Sequence, residues 1–244
     1  MDILRFIHIH QIESTSAALD VKSIAKEVAK VFPICSIDIK PPFEYDDRTI
    51  EQARITDAKH PFEKQPKQQQ HDSLMIPLYD GFVLQRLFAD MITSAEISIS
   101  HIHIIFTSLL TCTFNDDEDW RYHGRAIICG MPSIISTTGI IEALAKPKEF
   151  YISQLGRMVI EDNSATKKKF AGKFIDYGDT RITAAGINYA LQAIFFFLTD
   201  GDPFCSNKDC RLYNAHWQED LIHTIEKGML CNHHRDLASN FVKK

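Results

Sequence analysis

The sequence predicts a mixed α/β (α+β) fold for a chain of 244 residues. Segments rich in β-branched and aromatic residues predict strands at 3–10, 35–40 and 101–106. Apolar residues at helical spacing predict helices at 20–32 and 80–91. The strongest helical pattern covers 182–198, and its second half is apolar on every side, which requires burial all round. Strands that alternate with helices, together with one buried helix, are typical of an α/β or α+β domain.

The N-terminal elements have clear ends in the sequence. Asp20 is a good N-cap for the first helix, because its carboxylate can accept a hydrogen bond from a free backbone N–H. Pro33 ends that helix, and Pro41-Pro42 stops the strand that follows. Residues 60–72 contain two prolines and no apolar periodicity, so we expect an exposed loop there.

The later elements are shorter, apart from the long helix. The patterns predict further helices at 48–58, 146–155 and 215–227 and a strand at 125–129. The long helix begins after Asp179-Thr180 and ends at Asp200-Gly201, because glycine readily adopts the left-handed turn that follows a helix. No internal repeat or long linker divides the chain, so we expect one domain over 1–244, with residues 201–244 as a subregion.

The composition excludes several classes of protein. Hydrophobic residues make up 45% and charged residues 24%, which is ordinary for a globular protein and excludes disorder. No apolar stretch reaches the ~20 residues that a membrane helix needs, and residues 1–5 lack a signal-peptide layout. The net charge of −5 argues against a nucleic-acid binder, which usually carries a basic face. We therefore expect a cytoplasmic protein that binds neither membrane nor nucleic acid.

The most informative motif lies near the C-terminus. It reads Cys205-x4-Cys210, then twenty residues, then Cys231-x2-His234. Two close pairs of thiol and imidazole ligands can enclose one tetrahedral zinc ion, with the helix at 215–227 returning the chain between them. Because this set leaves no open coordination position, the motif predicts one structural zinc rather than a catalytic one.

Two alternatives to this ligand set remain open. His233 is adjacent to His234 and is an alternative fourth ligand, although the Cys-x2-His spacing favours His234. The three cysteines are also compatible with free thiols beside a surface pair of histidines, because free cysteine often serves as a small core residue.

The C-terminal motif resembles the end of the archaemetzincins, a family of metzincin-type zinc metallopeptidases. Their motif runs HExxHxxGxxHCx4CxM, followed by CxxC. The glycine of that motif corresponds to Gly201, its first two cysteines to Cys205 and Cys210, and its last pair to Cys231 and His234. Residues 100–107 and 125–151 also resemble an archaeal family of metallopeptidase-like proteins, so the resemblance extends over about the last 145 residues. It implies a metzincin-like mixed sheet, a long helix and a C-terminal structural zinc knuckle.

The catalytic half of the archaemetzincin motif is missing. The positions of its three histidines, its glutamate and its methionine hold apolar residues here, namely Ile194, Phe195, Leu198, Phe204 and Leu212. In the family, those histidines bind the catalytic zinc and the glutamate is the general base. Because apolar side chains can neither hold Zn²⁺ nor activate water, the sequence leaves it uncertain whether the protein is an enzyme.

Other histidines offer a different metal site. His8 and His10 lie on one face of a predicted strand, and so do His101 and His103. If the two strands are neighbours, four imidazoles meet, and His123 is a candidate fifth. The alternative is a set of half-buried strand histidines that are hydrogen-bonded to their neighbours.

Three functional hypotheses follow. The leading one is a zinc-binding, archaemetzincin-like pseudoenzyme that binds or scaffolds an unidentified protein or peptide partner at the remnant cleft. The second is an active zinc metallopeptidase that uses unfamiliar ligands, which requires the histidines outside the motif to converge on a cleft with a carboxylate base. The third is a nucleic-acid-binding zinc module, which the acidic balance disfavours.

Overall fold

The computed structural model of the chain describes residues 4–12, 15–56, 76–115, 120–155, 170 and 172–242. Its strands are β1 (Phe6–Gln11), β2 (Ser36–Lys40), β3 (Arg54–Ile55), β4 (Leu78–Asp80), β5 (His101–Thr107), β6 (Leu110–Asn115), β7 (Arg121–Arg125), β8 (Ile127–Ile128) and β9 (Ser133–Ser136). Its helices are α1 (Val21–Val31), α2 (Asp47–Glu51), α3 (Gly81–Met91), α4 (Thr137–Glu142), α5 (Lys148–Leu155), α6 (Ile182–Leu198), α7 (Gln218–Lys227) and α8 (Asn232–Val242). The predicted α/β class is confirmed.

The larger sheet has five strands in the order β2-β1-β5-β9-β8. Strands β2, β1, β5 and β9 are parallel, and β8 is antiparallel to β9. In the register of β1, His8 lies beside Asp38 of β2 on one side and His103 of β5 on the other. Strands from the two predicted N-terminal segments therefore share a sheet with strands from the middle of the chain.

One face of the larger sheet packs against α1 and α6. The isoleucines that point to this face from β1 and β5 are all buried, namely Ile7, Ile9, Ile102 and Ile104. Gly186 lets α6 approach closely, because a Cβ atom there would lie 2.9 Å from Cδ1 of Ile24 and 3.3 Å from Cε1 of Phe106. The main hydrophobic core thus lies between the sheet and the long helix.

The long helix predicted at 182–198 is α6. All residues from Ala185 to Phe195 are buried. The prediction of burial all round is wrong for the last turn, where residues 196–198 are only half-buried and where Phe196 and Leu198 line surface cavities. The helix ends as predicted, with Asp200 and Gly201 in the left-handed region at φ of 53° and 100°.

The opposite face of the larger sheet carries α3 and a second core. Phe88 of α3 packs there with Ile105 of β5. His8 and His10 of β1 and His103 of β5 point to this same face, because side chains alternate along a strand and the isoleucines between them point to the other face.

A second sheet, which the sequence patterns do not predict, has the strand order β3-β4-β6-β7. The single strand predicted at 125–129 is divided between the two sheets, because β7 ends at Arg125 in the second sheet and β8 belongs to the larger sheet. Strand β9 is not predicted either, since four residues are too few to show alternation.

The helix predicted at 48–58 is shorter than expected, and both its end at 57–58 and the loop predicted at 60–72 lie outside the described residues.

The C-terminal helices follow the long helix closely. Helix α7 ends at Gly228, which adopts a left-handed φ of 62°, and α8 begins after Cys231. No helix in the described part of the chain combines the length and the apolar character needed to cross a bilayer.

Candidate metal centres

The cysteine cluster consists of Cys205, Cys210, Cys231 and His234, which the structure brings together from two short connections. Cys205 and Cys210 lie between α6 and α7, where the backbone N–H of Cys205 donates to the carbonyl of Leu212 at 2.9 Å. Cys231 precedes α8, and His234 lies in the first turn of that helix. A backbone bridge between Cys210 and Met229 holds the two connections side by side.

The distances within the cysteine cluster fit one tetrahedral zinc ion. All four ligand atoms lie within 4.8 Å of one another. The Sγ atoms of Cys205 and Cys231 are 3.8 Å apart, and Nδ1 of His234 lies 3.1 Å from Sγ of Cys231 and 3.9 Å from Sγ of Cys210. Zn–S bonds of about 2.3 Å and Zn–N bonds of about 2.0 Å at tetrahedral angles separate ligand atoms by roughly 3.5–3.8 Å.

Two of the three thiols would form thiolates only beside a positive charge such as a metal ion. Burial raises the pKa of Cys210 to about 12 and raises the pKa of Cys205 as well, so these thiols need a nearby positive charge to become thiolates. Burial acts in the same direction on Cys231, but hydrogen bonds, the largest from the backbone N–H of His234, lower its pKa overall. Backbone N–H groups of Asn207 and Cys231 donate to the sulfur atoms of Cys205 and Cys210, each at 3.4 Å.

The two alternatives for this cluster have different structural support. Nδ1 of His234 faces the sulfur atoms, and its buried ring contacts Phe195, whereas His233 is exposed. The three thiols lie around one imidazole, an arrangement that cysteines acting only as small core residues do not need. The other cysteines, Cys35, Cys112 and Cys129, do not belong to the cluster.

The positions that correspond to the catalytic residues of the archaemetzincin motif hold apolar side chains. Ile194 and Phe195 are fully buried, and the ring of Phe195 lies 5.9 Å from that of Phe32 and 5.3 Å from that of His234. Leu198 is half-buried, while Phe204 is 39% exposed. Leu212 is fully buried, so this set offers no ligand atom and no base.

A cavity of about 340 Å³ lies between the edge of the larger sheet and α6. Ala126 and Ile127 line it from the sheet edge, and Tyr189 and Phe196 line it from α6. Phe204 closes one side of it, beside the loop that enters the cysteine cluster. Of the five apolar residues at the motif positions, Phe204 is the one that lines this cavity.

The histidine cluster consists of His8, His101 and His103, and it lies on the face of the sheet opposite α6. Each ring offers one nitrogen atom within 4.8 Å of the others, and His8 and His103 are buried. Nε2 of His8 lies 2.8 Å from Nδ1 of His101, and the rings of His8 and His103 are stacked with centroids 4.5 Å apart. None of these residues lines the cavity beside α6.

The remaining histidines that the sequence singles out have different positions. His10 extends the histidine cluster, with its Nε2 atom 3.0 Å from Nδ1 of His103 and its ring stacked on Phe43. His123 does not join it, because it lies on β7 in the second sheet, opposite Thr113. Burial lowers the pKa of His10 to about 3 and that of His103 to about 4, and burial also lowers the pKa of His101.

Charged residues beside the histidine cluster were not identified from the sequence. Nδ1 of His8 donates to Oδ1 of Asp38 at 2.5 Å, and Lys40 contacts the carboxylates of Asp38 and Glu96 at 3.2 Å and 2.5 Å. The alternation of Asp38 and Lys40 in the predicted second strand is the same signal that singled out His8 and His10. Glu96 lies in a short 3-10 helix (Ser94–Glu96) before β5, where no alternating pattern of polar residues marks it in the sequence.

Comparison with known proteins agrees with this fold. The structure is similar to an archaemetzincin from Methanopyrus kandleri, over 99% of this chain and 97% of that chain, with a TM-score of 0.53 and 8% identity. It also aligns with a zinc-dependent peptidase from Methanocorpusculum labreanum (strain Z), over 95% of this chain and 99% of that chain, with a TM-score of 0.46 and 14% identity. Only the first likeness is strong enough to assign a fold, and the predicted archaemetzincin-like architecture is confirmed.

Sequence comparison supplies the family. No curated protein matches the chain. The sequence profile of the probable metallopeptidase family DUF6775 matches residues 5–241, which is nearly the whole chain. The chain therefore belongs to the probable metallopeptidase family DUF6775.

Proposed function

We propose that this protein is a zinc-stabilised, non-hydrolytic member of its metallopeptidase family that binds an extended peptide or protein segment. One contrast carries the proposal. The four residues of the cysteine cluster stand at distances that suit a tetrahedral ion, whereas the positions of the catalytic ligands and base hold apolar side chains, of which Ile194 and Phe195 are fully buried. A zinc ion bound by the cysteine cluster would cross-link the two C-terminal connections and supply folding free energy.

Two buried residues of α6 argue against hydrolysis at the position of the family's catalytic motif. Ile194 and Phe195 exclude water from the helix position where the family motif places a ligand and a base. Phe195 itself occupies the position of the base, so no carboxylate stands there. Leu198 and Phe204 occupy the positions of the second and third ligands. A hydrolytic metal needs three protein ligands and a coordination position open to water.

The cavity beside α6 supports peptide binding. Its lining combines aromatic side chains of Tyr189, Phe196 and Phe204 with the polar side chain of His216. Strand β8 is the last described strand of the larger sheet, and its residue Ile127 lines this cavity. An extended peptide can add as a further strand at such an edge while its side chains enter the cavity.

Elemental analysis of the purified protein tests the zinc, and we expect one tightly held ion per chain that remains after dialysis. Fluorescence anisotropy with a library of labelled unstructured peptides tests binding. Phe204→Ala should weaken the best peptide at least tenfold, while Phe82→Ala, which removes an equally large ring that is 61% exposed on α3, should leave it unchanged. Equal binding by both variants, or zinc-dependent cleavage of the peptides by the parent protein, would contradict the proposal.

A second candidate function is an active metallopeptidase with unfamiliar ligands, favoured by the convergence of His8, His101 and His103 beside two carboxylates. Two features weigh against it. Lys40 engages the carboxylates of both Asp38 and Glu96, which leaves neither available as a base, and the cluster lies on the far side of the sheet from the cavity. Peptide cleavage that disappears in His101→Ala would favour this candidate.

A further inference from the structure

The histidine cluster has the ligand arrangement of a metal site that is separate from the cysteine cluster. Parallel pairing of β1 with β5 brings together side chains 93 residues apart in sequence. Three imidazoles then offer nitrogen atoms within 4.8 Å of one another. Imidazole nitrogen is a preferred ligand of Zn²⁺ and of neighbouring divalent transition metals.

Asp38 orients His8 in the manner of an outer-shell metal partner. Its Oδ1 atom accepts a hydrogen bond from Nδ1–H of His8 at 2.5 Å, which leaves the Nε2 lone pair of a neutral His8 directed at His101. Metal-binding histidines usually donate their second N–H to a carboxylate or a carbonyl in this way, which fixes the tautomer of the ring.

The backbone near Glu96 orients His103 in a similar way. The carbonyl oxygen of Glu96 accepts from Nε2–H of His103 at 3.1 Å, so Nδ1 of the neutral ring carries a lone pair. Without an ion, Nε2–H of His10 donates to that lone pair, so an ion bound at Nδ1 of His103 takes the place of this hydrogen bond. Nδ1 of His10 is buried and has no hydrogen-bond partner among the described residues. The strands therefore hold the rings of His8 and His103 in fixed orientations, and the neutral form of an imidazole is the one that binds metals.

Charge and access also favour a cation at this place. Asp38 and Glu96 carry two negative charges against the single positive charge of Lys40. The ring of His101 is only half-buried, and the Asp38 side chain is 45% exposed, so an ion can reach the cluster from solvent.

We propose that His8, His101 and His103 form a second metal site, which binds a divalent transition-metal ion of the Zn²⁺ class exchangeably and keeps a fourth position for water. In the metal-bound form, His101 carries its proton on Nε2 and uses Nδ1 as a ligand. This site does not depend on the cysteine cluster, which lies beyond the opposite face of the sheet.

Calorimetric titration with zinc chloride tests this second site. The full chain is first dialysed against a chelator that is too weak to remove zinc from the cysteine cluster, and resident zinc is counted before titration. We expect one exchangeable equivalent in the parent protein. His101→Ala should bind it at least tenfold more weakly, and the matched control His123→Ala should bind it as the parent does. Because His101 is half-buried, this variant should fold even if a variant of His8 does not.

Two further variants separate a metal site from a merely structural cluster. Asp38→Asn should weaken zinc binding by about 10- to 100-fold, the usual effect of removing an outer-shell carboxylate. Lys40→Gln should strengthen it several-fold, because one repulsive charge is removed. An absence of exchangeable zinc in the parent, or equal binding by His101→Ala and His123→Ala, would overturn the proposal, whereas missing resident zinc would count only against the cysteine cluster.

Discussion

The cysteine cluster and the histidine cluster bring ligand atoms together by different routes. Cys231 and His234 are separated by 3 positions in the chain, whereas His8 and His101 are separated by 93. Short connections assemble the cysteine cluster, while the pairing register of β1 and β5 assembles the histidine cluster. The comparison teaches that ligand spacing along a sequence reveals a local site, while a site built across a sheet requires knowledge of the register.

The two clusters also differ in what their side chains do without a cation. Burial raises the pKa of Cys205 and Cys210, so these groups remain neutral thiols that hydrogen-bond only weakly. In the histidine cluster, His8 and His103 have good hydrogen-bond acceptors in Asp38 and in the carbonyl of Glu96. We therefore expect metal removal to unfold the region around the cysteine cluster and to leave the histidine cluster folded.

The largest effect is expected from Cys210→Ser, which removes a buried thiol of the proposed zinc site. Structural zinc contributes on the order of 10 kcal/mol of apparent folding free energy, comparable with the ~5–15 kcal/mol stability of a whole domain. We expect the C-terminal region of this variant to be unfolded at room temperature in circular dichroism and protease digestion.

The control for Cys210→Ser is Cys35→Ser, a cysteine outside the cluster, which should lower the free energy of unfolding by only about 1 kcal/mol. A strong chelator should destabilise the parent protein and Cys35→Ser equally and should have little effect on Cys210→Ser. A parent protein whose urea unfolding is indifferent to the chelator would be inconsistent with a structural zinc.

The next effect concerns His103→Ala in the histidine cluster. This substitution leaves a cavity and removes the partner of His10 and of the Glu96 carbonyl, so the free energy of unfolding should fall by about 2–4 kcal/mol. A chelator isolates this packing loss, and added zinc should enlarge it, because the parent protein gains stability from an ion that the variant no longer binds. Urea denaturation measures both losses. A loss that appears only when zinc is present would mean that metal, rather than packing, stabilises this face.

A smaller effect is expected from His234→Cys, which converts the last ligand pair to the two cysteines of the archaemetzincin motif. Thiolate and imidazole are both good zinc ligands, so the zinc content per chain should stay at the parental value and stability should change by less than about 2 kcal/mol. His234→Ala, as the matched control, should lose the ion. Loss of zinc from both variants would argue that the buried position accepts only an imidazole.

The smallest effect is expected from His233→Ala. Its side chain is exposed beside His234, so we expect unchanged zinc content and a stability change within about 0.5 kcal/mol. Elemental analysis of this variant decides between the two histidines as fourth ligand. Loss of the ion from His233→Ala would reverse the assignment.

Sequence patterns predicted the fold class because its main elements have strong local signals. The long helix α6 was found from its apolar run and its glycine end, and β1, β2 and β5 from their β-branched residues. The second sheet and β9 were not found, because β3, β4 and β9 have only two to four residues and are stabilised by tertiary pairing. The apolar run also predicts burial of the last turn of α6, but residues 196–198 are only half-buried, with Phe196 and Leu198 beside surface cavities.

The sequence by itself determined the pairs of the cysteine cluster, the apolar residues at the motif positions between 194 and 204 and the archaemetzincin-like family resemblance. These are properties of neighbouring positions, and chain connectivity keeps such positions close. Only the tertiary structure decided that His8, His101 and His103 meet, that Asp38 joins them and that His123 does not. Strand order and register depend on how whole faces of the sheet bury their apolar residues, and no local pattern contains that information.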